Sequence, residues 1–248
     1  MFTNWSAGGE NSYALTGLLI FSLNYSKEKN DWANTLDIGY GIQKQGALEY
    51  RKTDDHIDFL SKYGRKVSKS LFISAMLNFK TQMSDGKRYT PDTAIISKLM
   101  APGYLQGAVG MEYKPNEKFY AVLSPIAGKL TMVLDDTLSS HGSFGVDPGS
   151  KIRMELGGSV NVGVKTEIMK NISLNSTLGL FTNYLENAQN IDVDWKVLIS
   201  MKINNYLSAN INTHLIFDDD IAYVDEKGEH GARVQFKEVF GVGLTYKF

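Results

Sequence analysis

The stretch VDWKVLISMKI, Val193 to Ile203, shows the pattern on which the fold prediction rests. Apolar residues occupy its odd positions, while Asp194, Lys196 and Lys202 stand at even positions. A period of two indicates a β-strand with one apolar face and one polar face. Soluble strands usually have about five or six residues, whereas a tilted strand needs about 9–11 to cross a bilayer. The stretch therefore predicts a membrane-spanning strand.

The same alternation recurs along the whole chain and predicts eleven strands, many of them as long as the first example. The predicted strands are Tyr13–Tyr25, Trp32–Ile42, Tyr50–Tyr63, Leu71–Phe79, Leu105–Tyr113, Phe119–Val133, Ile152–Ile168, Ile172–Tyr184, Val193–Ile203, Leu207–Phe217 and Phe236–Phe248. Proline and glycine at Pro125 and Gly128 blur the alternation within the sixth of them.

The connections between these strands alternate between short and long, as in transmembrane barrels with short periplasmic turns and longer extracellular loops. We therefore predict an all-β fold, a single antiparallel up-and-down barrel domain over residues 1–248. Bacterial single-chain barrels have even strand counts. Eleven strands consequently predict about twelve in the complete protein, with a truncated or missing amino-terminal strand. A soluble lipocalin-like barrel is the alternative, and it would have shorter strands with their apolar face inward.

The composition excludes several classes of protein. The net charge is −1, so no basic surface indicates nucleic acid, and the absence of cysteine excludes disulfides and thiolate sites. No apolar run reaches the roughly 18 residues of a transmembrane helix. The first residues lack a basic segment followed by an apolar core, so we expect any export signal to have been removed.

Seven segments together are characteristic: NWSAGGENS (Asn4–Ser12), WANTLDIGYG (Trp32–Gly41), RKTDDHIDFLSKYG (Arg51–Gly64), NFKTQM (Asn78–Met83), KNISLNSTLGLFTNY (Lys170–Tyr184), IFDDDI (Ile216–Ile221) and QFKEVFGVGLTYKF (Gln235–Phe248). They resemble an uncharacterised family of outer-membrane barrels from the Bacteroidota, known as domain of unknown function 3078. The resemblance implies a multi-pass protein in the outer membrane of a Gram-negative bacterium, and it implies no established activity. Residues Met83–Lys98 depart from the family pattern.

If the apolar stripes face lipid, the alternate residues line the interior, where nine acidic residues stand against nine basic ones. A selective pore would show a surplus of one sign, so we expect a small barrel largely filled by its own ion pairs. The predicted ion-pair network consists of Asp54, His56, Asp58, Lys62, Arg153, Glu155, Lys196, His214, Asp218, Asp220, Arg233 and Lys237.

Two stretches could carry chemistry: TDDHID, Thr53 to Asp58, and HLIFDDD, His214 to Asp220. Interior ion pairing is the interpretation that we favour for both. The alternatives are a Ca²⁺ site at Asp218 and Asp220, and a His–carboxylate group that activates water at the outer rim. We predict no catalytic residue and no cofactor, with Ca²⁺ as the one cation for which ligands exist.

Both ends of the chain also carry predictions. We expect the loop with Asn4, Trp5, Gly8 and Gly9 to fold over the mouth of the barrel, and the alternative is a contact for a partner or for glycan. The aromatic ending is typical of the assembly signal of outer-membrane barrels, and its residues are Phe240, Val242, Leu244, Tyr246 and Phe248.

Taken as a whole, the sequence favours a structural or accessory subunit of a larger outer-membrane assembly for export, insertion or uptake. We expect it to contact lipids, lipopolysaccharide and other proteins, and no nucleic acid. The alternatives are a small diffusion or transport channel and a hydrolase that uses the Asp and His groups at the rim.

Overall fold

A computed structural model describes residues 10–89, 92–224 and 230–244. The strands in chain order are β1 (Ser12–Lys27), β2 (Asn30–Gln45), β3 (Arg51–Lys66), β4 (Leu71–Thr81), β5 (Gly86–Arg88), β6 (Ala94–Ser97), β7 (Gly103–Asn116), β8 (Phe119–Met132), β9 (Ile152–Met169), β10 (Ile172–Asn183), β11 (Asp192–Lys202), β12 (Leu207–Phe217), β13 (Ala222–Val224), β14 (His230–Ala232) and β15 (Gln235–Leu244). Eleven of them form one antiparallel sheet in the order β1-β2-β3-β4-β7-β8-β9-β10-β11-β12-β15. Each of the eleven predicted strands corresponds to one strand of this sheet, which confirms the all-β prediction.

The connections alternate in length along the sheet. Short turns occupy residues 28–29, 67–70, 117–118, 170–171 and 203–206, and longer connections occupy 46–50, 82–102, 133–151, 184–191 and 218–234. Because neighbouring strands of the large sheet are antiparallel, all the short turns lie at one end of the sheet and all the long connections lie at the other. That second end is called the outer rim below.

Three long connections contain structure that the sequence pattern did not predict. The strands β5 and β6 pair within residues 82–102, and β13 and β14 pair within residues 218–234. Residues 133–151 contain helix α1 (Asp136–Ser140) and a 3-10 turn (Ser143–Gly145). None of the helices in the described residues is long and apolar enough to cross a membrane.

Helix α1 is held by both capping and burial. The Asp135 carboxylate accepts hydrogen bonds from the N–H groups of Thr137 and Leu138, at 3.1 and 3.0 Å, and from Lys98 Nζ at 2.6 Å. Together these donors, with Lys98 the strongest, hold the pKa of Asp135 below its usual value. Beneath the helix Leu138 packs in a buried apolar cluster with Ala101, Val133 and Val146.

The outer face of the large sheet is apolar and exposed. On β11, Trp195 is 45% exposed, and on β4 and β15 Ile73 and Phe236 are 54% and 62% exposed. The opposite face carries the polar and charged side chains of the same strands, such as Asp194 and Lys196. The period-two pattern therefore separates an apolar outer face from a charged inner face.

Ion pairs show that the sheet is curled around this inner face. Lys237 of β15 contacts Asp54 of β3, although eight strand spacings, roughly 38 Å in a flat sheet, separate these strands along the sheet. Lys80 of β4 likewise contacts Asp194 of β11, five spacings away. Such contacts require strands from distant parts of the sheet to face one another across an interior.

A β-bulge in β8 shifts the alternation by one residue. Val122 and Ser124 are buried before it and Ala127 and Thr131 after it, each at 1% exposure. The inward positions thus change from even to odd numbers along β8. The change occurs from Ser124 to Ala127, where the pairing register of β8 with β9 shifts. A bulge inserts one extra residue into a strand and reverses the faces beyond it. It accounts for the irregular pattern that the sequence shows near Pro125.

Candidate functional site

The middle of the interior contains two lysines and two aspartates from strands that face each other. Lys196 of β11 contacts Asp58 of β3, and Lys80 of β4 contacts Asp194 of β11. Asn78 Nδ2 donates a further hydrogen bond to Asp58, at 2.6 Å. These four charged residues are called the middle layer. Opposite charges balance within it, so neither carboxylate is left in the interior without a basic partner.

His56 lies between two carboxylates. Its Nδ1 atom is 3.2 Å from Asp54 Oδ1, and its Nε2 atom is 3.3 Å from Asp37 Oδ1. The neighbouring strand makes room for the ring at Gly39, where a Cβ atom would come within 2.3 Å of His56 Cε1. Both ring nitrogens lie within 3.3 Å of a carboxylate oxygen, so the ring is placed as an ion-pair partner.

His214 contacts the middle layer and not the aspartates that follow it in sequence. Its Nε2 atom is 3.1 Å from Asp194 Oδ1. Asp218 and Asp220, which alternation assigns to the same face, contact Lys129 and Arg153 instead. The HLIFDDD stretch is therefore divided between two separate groups of charges.

A third pair lies toward the short turns. Lys62 contacts Glu112, whose other oxygen accepts a hydrogen bond from Ser74 Oγ at 3.0 Å. Between this pair and the outer rim, the interior holds an apolar layer of Met76, Ala108, Ala127 and Phe181, with Leu60 packed against it. The layer draws side chains from β4, β7, β8 and β10, so it fills part of the interior.

The outer rim contains the largest group of charges. Lys129 Nζ lies 2.7 Å from Asp192, 2.9 Å from Asp218 and 3.5 Å from Glu155. Arg153 contacts Asp220 and lies 3.4 Å from Glu155. These six residues are called the rim cluster. Oxygens of its three aspartates lie within 4.8 Å of one another, a spacing suited to a metal ion.

Two members of the rim cluster were missed by the sequence prediction. Lys129 follows the β8 bulge, and simple alternation from Val122 places it on the outer face. The predicted strand begins at Val193, one residue after Asp192, whereas β11 begins at Asp192 in the structure. Asp192 has an even number, as Asp194 does, so it shares the inward parity of Asp194. Asp37, Lys80, Glu112 and Asp194 have the inward parity that the pattern indicates.

The sequence pattern predicts that Lys52 faces the interior as Asp54 does, and a second bulge contradicts this prediction. The register between β2 and β3 pairs Gly41 with Asp54 but Ile42 with Lys52, so Lys52 shares the face of Ile42 and not that of Asp54. Lys52 contacts Asp55 at 2.8 Å, and Asp55 also accepts hydrogen bonds from the N–H groups of Met83 and Ser84. This carboxylate thus ties residues 82–102 to β3.

A cavity of about 270 Å³ lies under the β5–β6 hairpin at the outer rim. Lys52, Lys87 and Lys237 line it together with Asp54 and Asp55. Its basic side chains outnumber its acidic ones by one, so the cavity is close to neutral.

The remaining predicted residues lie near the chain ends. Arg233 precedes β15, and Phe240, Val242 and Leu244 lie on β15 with exposures of 65%, 58% and 87%. Asn4, Trp5, Gly8, Gly9, Tyr246 and Phe248 lie outside the described residues.

Comparison with known proteins adds one finding. The model of a family described as "Protein of unknown function (DUF3078)" matches residues 1–86, which include β1 to β4. No curated protein matches the chain. The match agrees with the resemblance in that part of the chain, which contributes Asp54, His56 and Asp58 to the interior.

Proposed function

We propose that the protein is an integral outer-membrane β-barrel whose interior is filled by ion pairs, and that it serves as a structural or accessory subunit of a larger outer-membrane assembly. The observation that carries the proposal is the distribution of polarity, with apolar side chains outside and charges inside. A soluble β-barrel has the opposite arrangement, because water surrounds it. The mixture of apolar exterior and polar interior is typical of strands in a bilayer.

The exposed apolar face supports membrane insertion. Monomers rarely leave apolar patches larger than a few hundred Å² in water, yet here apolar residues around half-exposed recur on most strands of the sheet, including Leu19, Ile73, Val109, Trp195 and Phe236. Lipid would cover such a surface without any unfavourable contact with water.

Strand directions support a twelfth strand. Neighbours in the large sheet are antiparallel, so the first and eleventh strands, β1 and β15, run in the same direction. One strand antiparallel to both would close the sheet with the even count of bacterial barrels. Closure is needed in lipid because backbone groups at an open edge would have no hydrogen-bond partner.

The filled interior supports a role other than conduction. The middle layer and the apolar layer around Phe181 both place side chains across the interior. Barrels of about eight strands are just wide enough for side chains to fill, whereas barrels with an open aqueous channel have about 16–18 strands. Conversely, the outer rim offers partners a folded surface, built from α1 and two hairpins. We therefore place the protein's function in contacts with other proteins.

Native purification tests this role. The tagged protein should fractionate with outer membranes, show heat-modifiable gel mobility, and co-purify in mild detergent with other barrels or lipoproteins that mass spectrometry identifies. Purification as a soluble protein would overturn the membrane assignment. Recovery from membranes without any partner would overturn the accessory role.

Planar bilayers test the filled interior in the same preparation. We expect no steady current, and a conductance in the nanosiemens range would favour the channel alternative. Hydrolytic activity that is lost in His214→Ala or Asp218→Ala, with heat modifiability retained, would favour the hydrolase alternative.

A further inference from the structure

The end of the sheet that carries the short turns is strongly basic. In the five short turns and the five residues on either side of each, the bases are Lys27, Lys29, Lys62, Arg65, Lys66, Lys69, Lys114, Lys118, Lys165, Lys170 and Lys202, and the acids are Glu28, Asp31, Glu112, Glu117 and Glu167. Six positive charges are thus in excess here, although the net charge of the whole chain is only −1.

Four of these bases surround the opening of the interior at this end. They are Lys66 of β3, Lys114 of β7, Lys165 of β9 and Lys202 of β11. The opening that these four lysines surround is called the turn-side mouth.

Alternation along the strands directs these lysines toward the interior. Lys66 follows Lys62, and Lys202 follows Lys196, at even spacing on strands where the earlier lysine meets an interior carboxylate. The Nζ atom of Lys66 also lies 5.9 Å from the ring centroid of Phe72, whose side chain is buried.

The same holds for β7 and β9. Lys114 stands two residues after Glu112, which is buried in the interior. Lys165 stands two residues after Gly163, where a Cβ atom would come within 2.1 Å of the Tyr120 ring. That ring lies 3.9 Å from Lys62 Nζ and is therefore inside the sheet.

The lysines lie on opposite sides of the mouth. The contact between Lys196 and Asp58 joins β11 to β3 across the interior. Lys202 and Lys66 continue the same two strands toward the short turns, so they face each other across the opening. A ligand that contacts both of them must extend across the mouth.

Three of the mouth lysines are exposed and lack an acidic partner. Within the described part of the chain, Lys66, Lys165 and Lys202 form no ion pair, whereas Lys114 lies 3.2 Å from Glu117 and 3.9 Å from Asp31.

Two further acids near the mouth are engaged elsewhere. Glu112 meets Lys62, and Glu167 accepts a hydrogen bond from the N–H group of Asn171 at 3.0 Å. An opening lined by charges of one sign concentrates the electric field and attracts the opposite charge. The turn-side mouth therefore suits an anionic ligand.

We propose that the turn-side mouth binds an acidic segment of a protein partner, which lies across the opening and contacts Lys66, Lys165 and Lys202. The inference rests on the proposed accessory role in the outer membrane, where short turns face the periplasm. The inward direction of the lysines favours a protein segment over lipid, because lipid headgroups surround the outer wall of a barrel. The proposed partner thus approaches from the periplasm and carries clustered Asp and Glu residues.

Fluorescence anisotropy with a labelled oligoglutamate peptide, on the full chain in an uncharged detergent, tests the surface. We expect binding that weakens as NaCl is added, since salt screens exposed charges. Lys66→Gln and Lys202→Gln should each weaken binding by about two- to fivefold, the effect of losing one exposed ion pair.

Arg65→Gln is the matched control and should bind the peptide as the wild type does. Arg65 is exposed and precedes Lys66 on β3, but it pairs with Ile73 of the apolar outer face and so points away from the mouth. Equal losses in Arg65→Gln and Lys66→Gln would overturn the inference, because they would show diffuse attraction to a basic surface.

Two other results would also overturn the inference. One is the absence of peptide binding at low salt. The other is a rise in unfolding temperature with phosphatidylglycerol, lost in Lys66→Gln and found without peptide binding, which would assign the mouth to lipid.

Membrane fractionation and heat modifiability of the same preparations separate this inference from the proposed function. A membrane barrel that does not bind the peptide would overturn the inference alone. A soluble protein that binds it through Lys66 and Lys202 would overturn the proposed function alone.

Discussion

The middle layer and the rim cluster use the same residue types with different stoichiometry. In the middle layer Lys80 and Lys196 meet Asp58 and Asp194, and each base has its own carboxylate. In the rim cluster a single base, Lys129, lies within 3.5 Å of three carboxylates. One region has equal numbers of bases and carboxylates, while the other has four carboxylates and two bases.

The difference indicates separate purposes for the two regions. Balanced pairs across an interior fix the relative positions of strands and give no reason to bind an ion. A surplus of carboxylates at the outer rim does not stabilise the strands in this way, because the mutual repulsion of the carboxylates opposes folding.

Among the substitutions predicted here, Lys129→Met should cause the largest loss in the free energy of unfolding. It leaves four carboxylates with Arg153 alone, and breaking a buried ion pair by removal of one partner typically costs about 3–5 kcal/mol. We expect a loss of that size in the free energy of unfolding, measured by urea titration in detergent.

Lys196→Met is the matched change in the middle layer and should have a somewhat smaller effect. Lys196 is 31% exposed against 13% for Lys129, so we expect a loss of about 3 kcal/mol, near the lower limit for buried pairs. The second change Asp58→Asn should restore most of it, because it removes the charge that Lys196→Met leaves without its base. A larger loss in Lys196→Met than in Lys129→Met would contradict the distinction between the two regions.

The sequence predicts the strands well because burial on one face imposes a period of two over many residues. Val193–Ile203 shows both faces clearly, and β11 is found where the pattern places it. The same parity correctly assigns Asp194 and Lys196 to the inner face. Pairing across the interior is different, because Asp58 and Lys196 are far apart in the chain and no local pattern relates them.

The rim cluster shows where pattern analysis fails. The β8 bulge reverses parity between Val122 and Lys129, and a single extra residue leaves little trace in composition. The connections fold through specific contacts, such as the Asp135 cap, rather than through periodic burial. The rim cluster therefore could not be predicted as one group, although its acids are visible in the sequence.

Gly39→Ala tests how closely the interior is packed around a balanced group. The new methyl group would meet the His56 ring, which Asp37 and Asp54 hold in place, so the ring must turn away from both carboxylates. Overpacking of this kind typically costs about 1–3 kcal/mol, and we expect a loss of about 2 kcal/mol in urea unfolding. Gly241→Ala, with no heavy atom within 4 Å of its Cβ position, is the control and should change little. Similar losses in both variants would point to backbone effects instead.

A substitution in the Lys98–Asp135 pair should have the smallest effect on stability, because the pair lies at the surface, where water screens the attraction between opposite charges. The folded pKa of Asp135 is below its usual value, so its stabilisation of α1 is complete above the unfolded pKa, about 3.9, and is lost as the pH falls through the folded pKa. Pepsin should therefore cleave residues 133–151 faster in Asp135→Asn than in the wild type at about pH 5, and the difference should shrink as the pH falls through the folded pKa of Asp135, because the wild-type carboxyl then takes up a proton. Equal cleavage at the higher pH would show that the apolar cluster under α1 holds the connection without its cap.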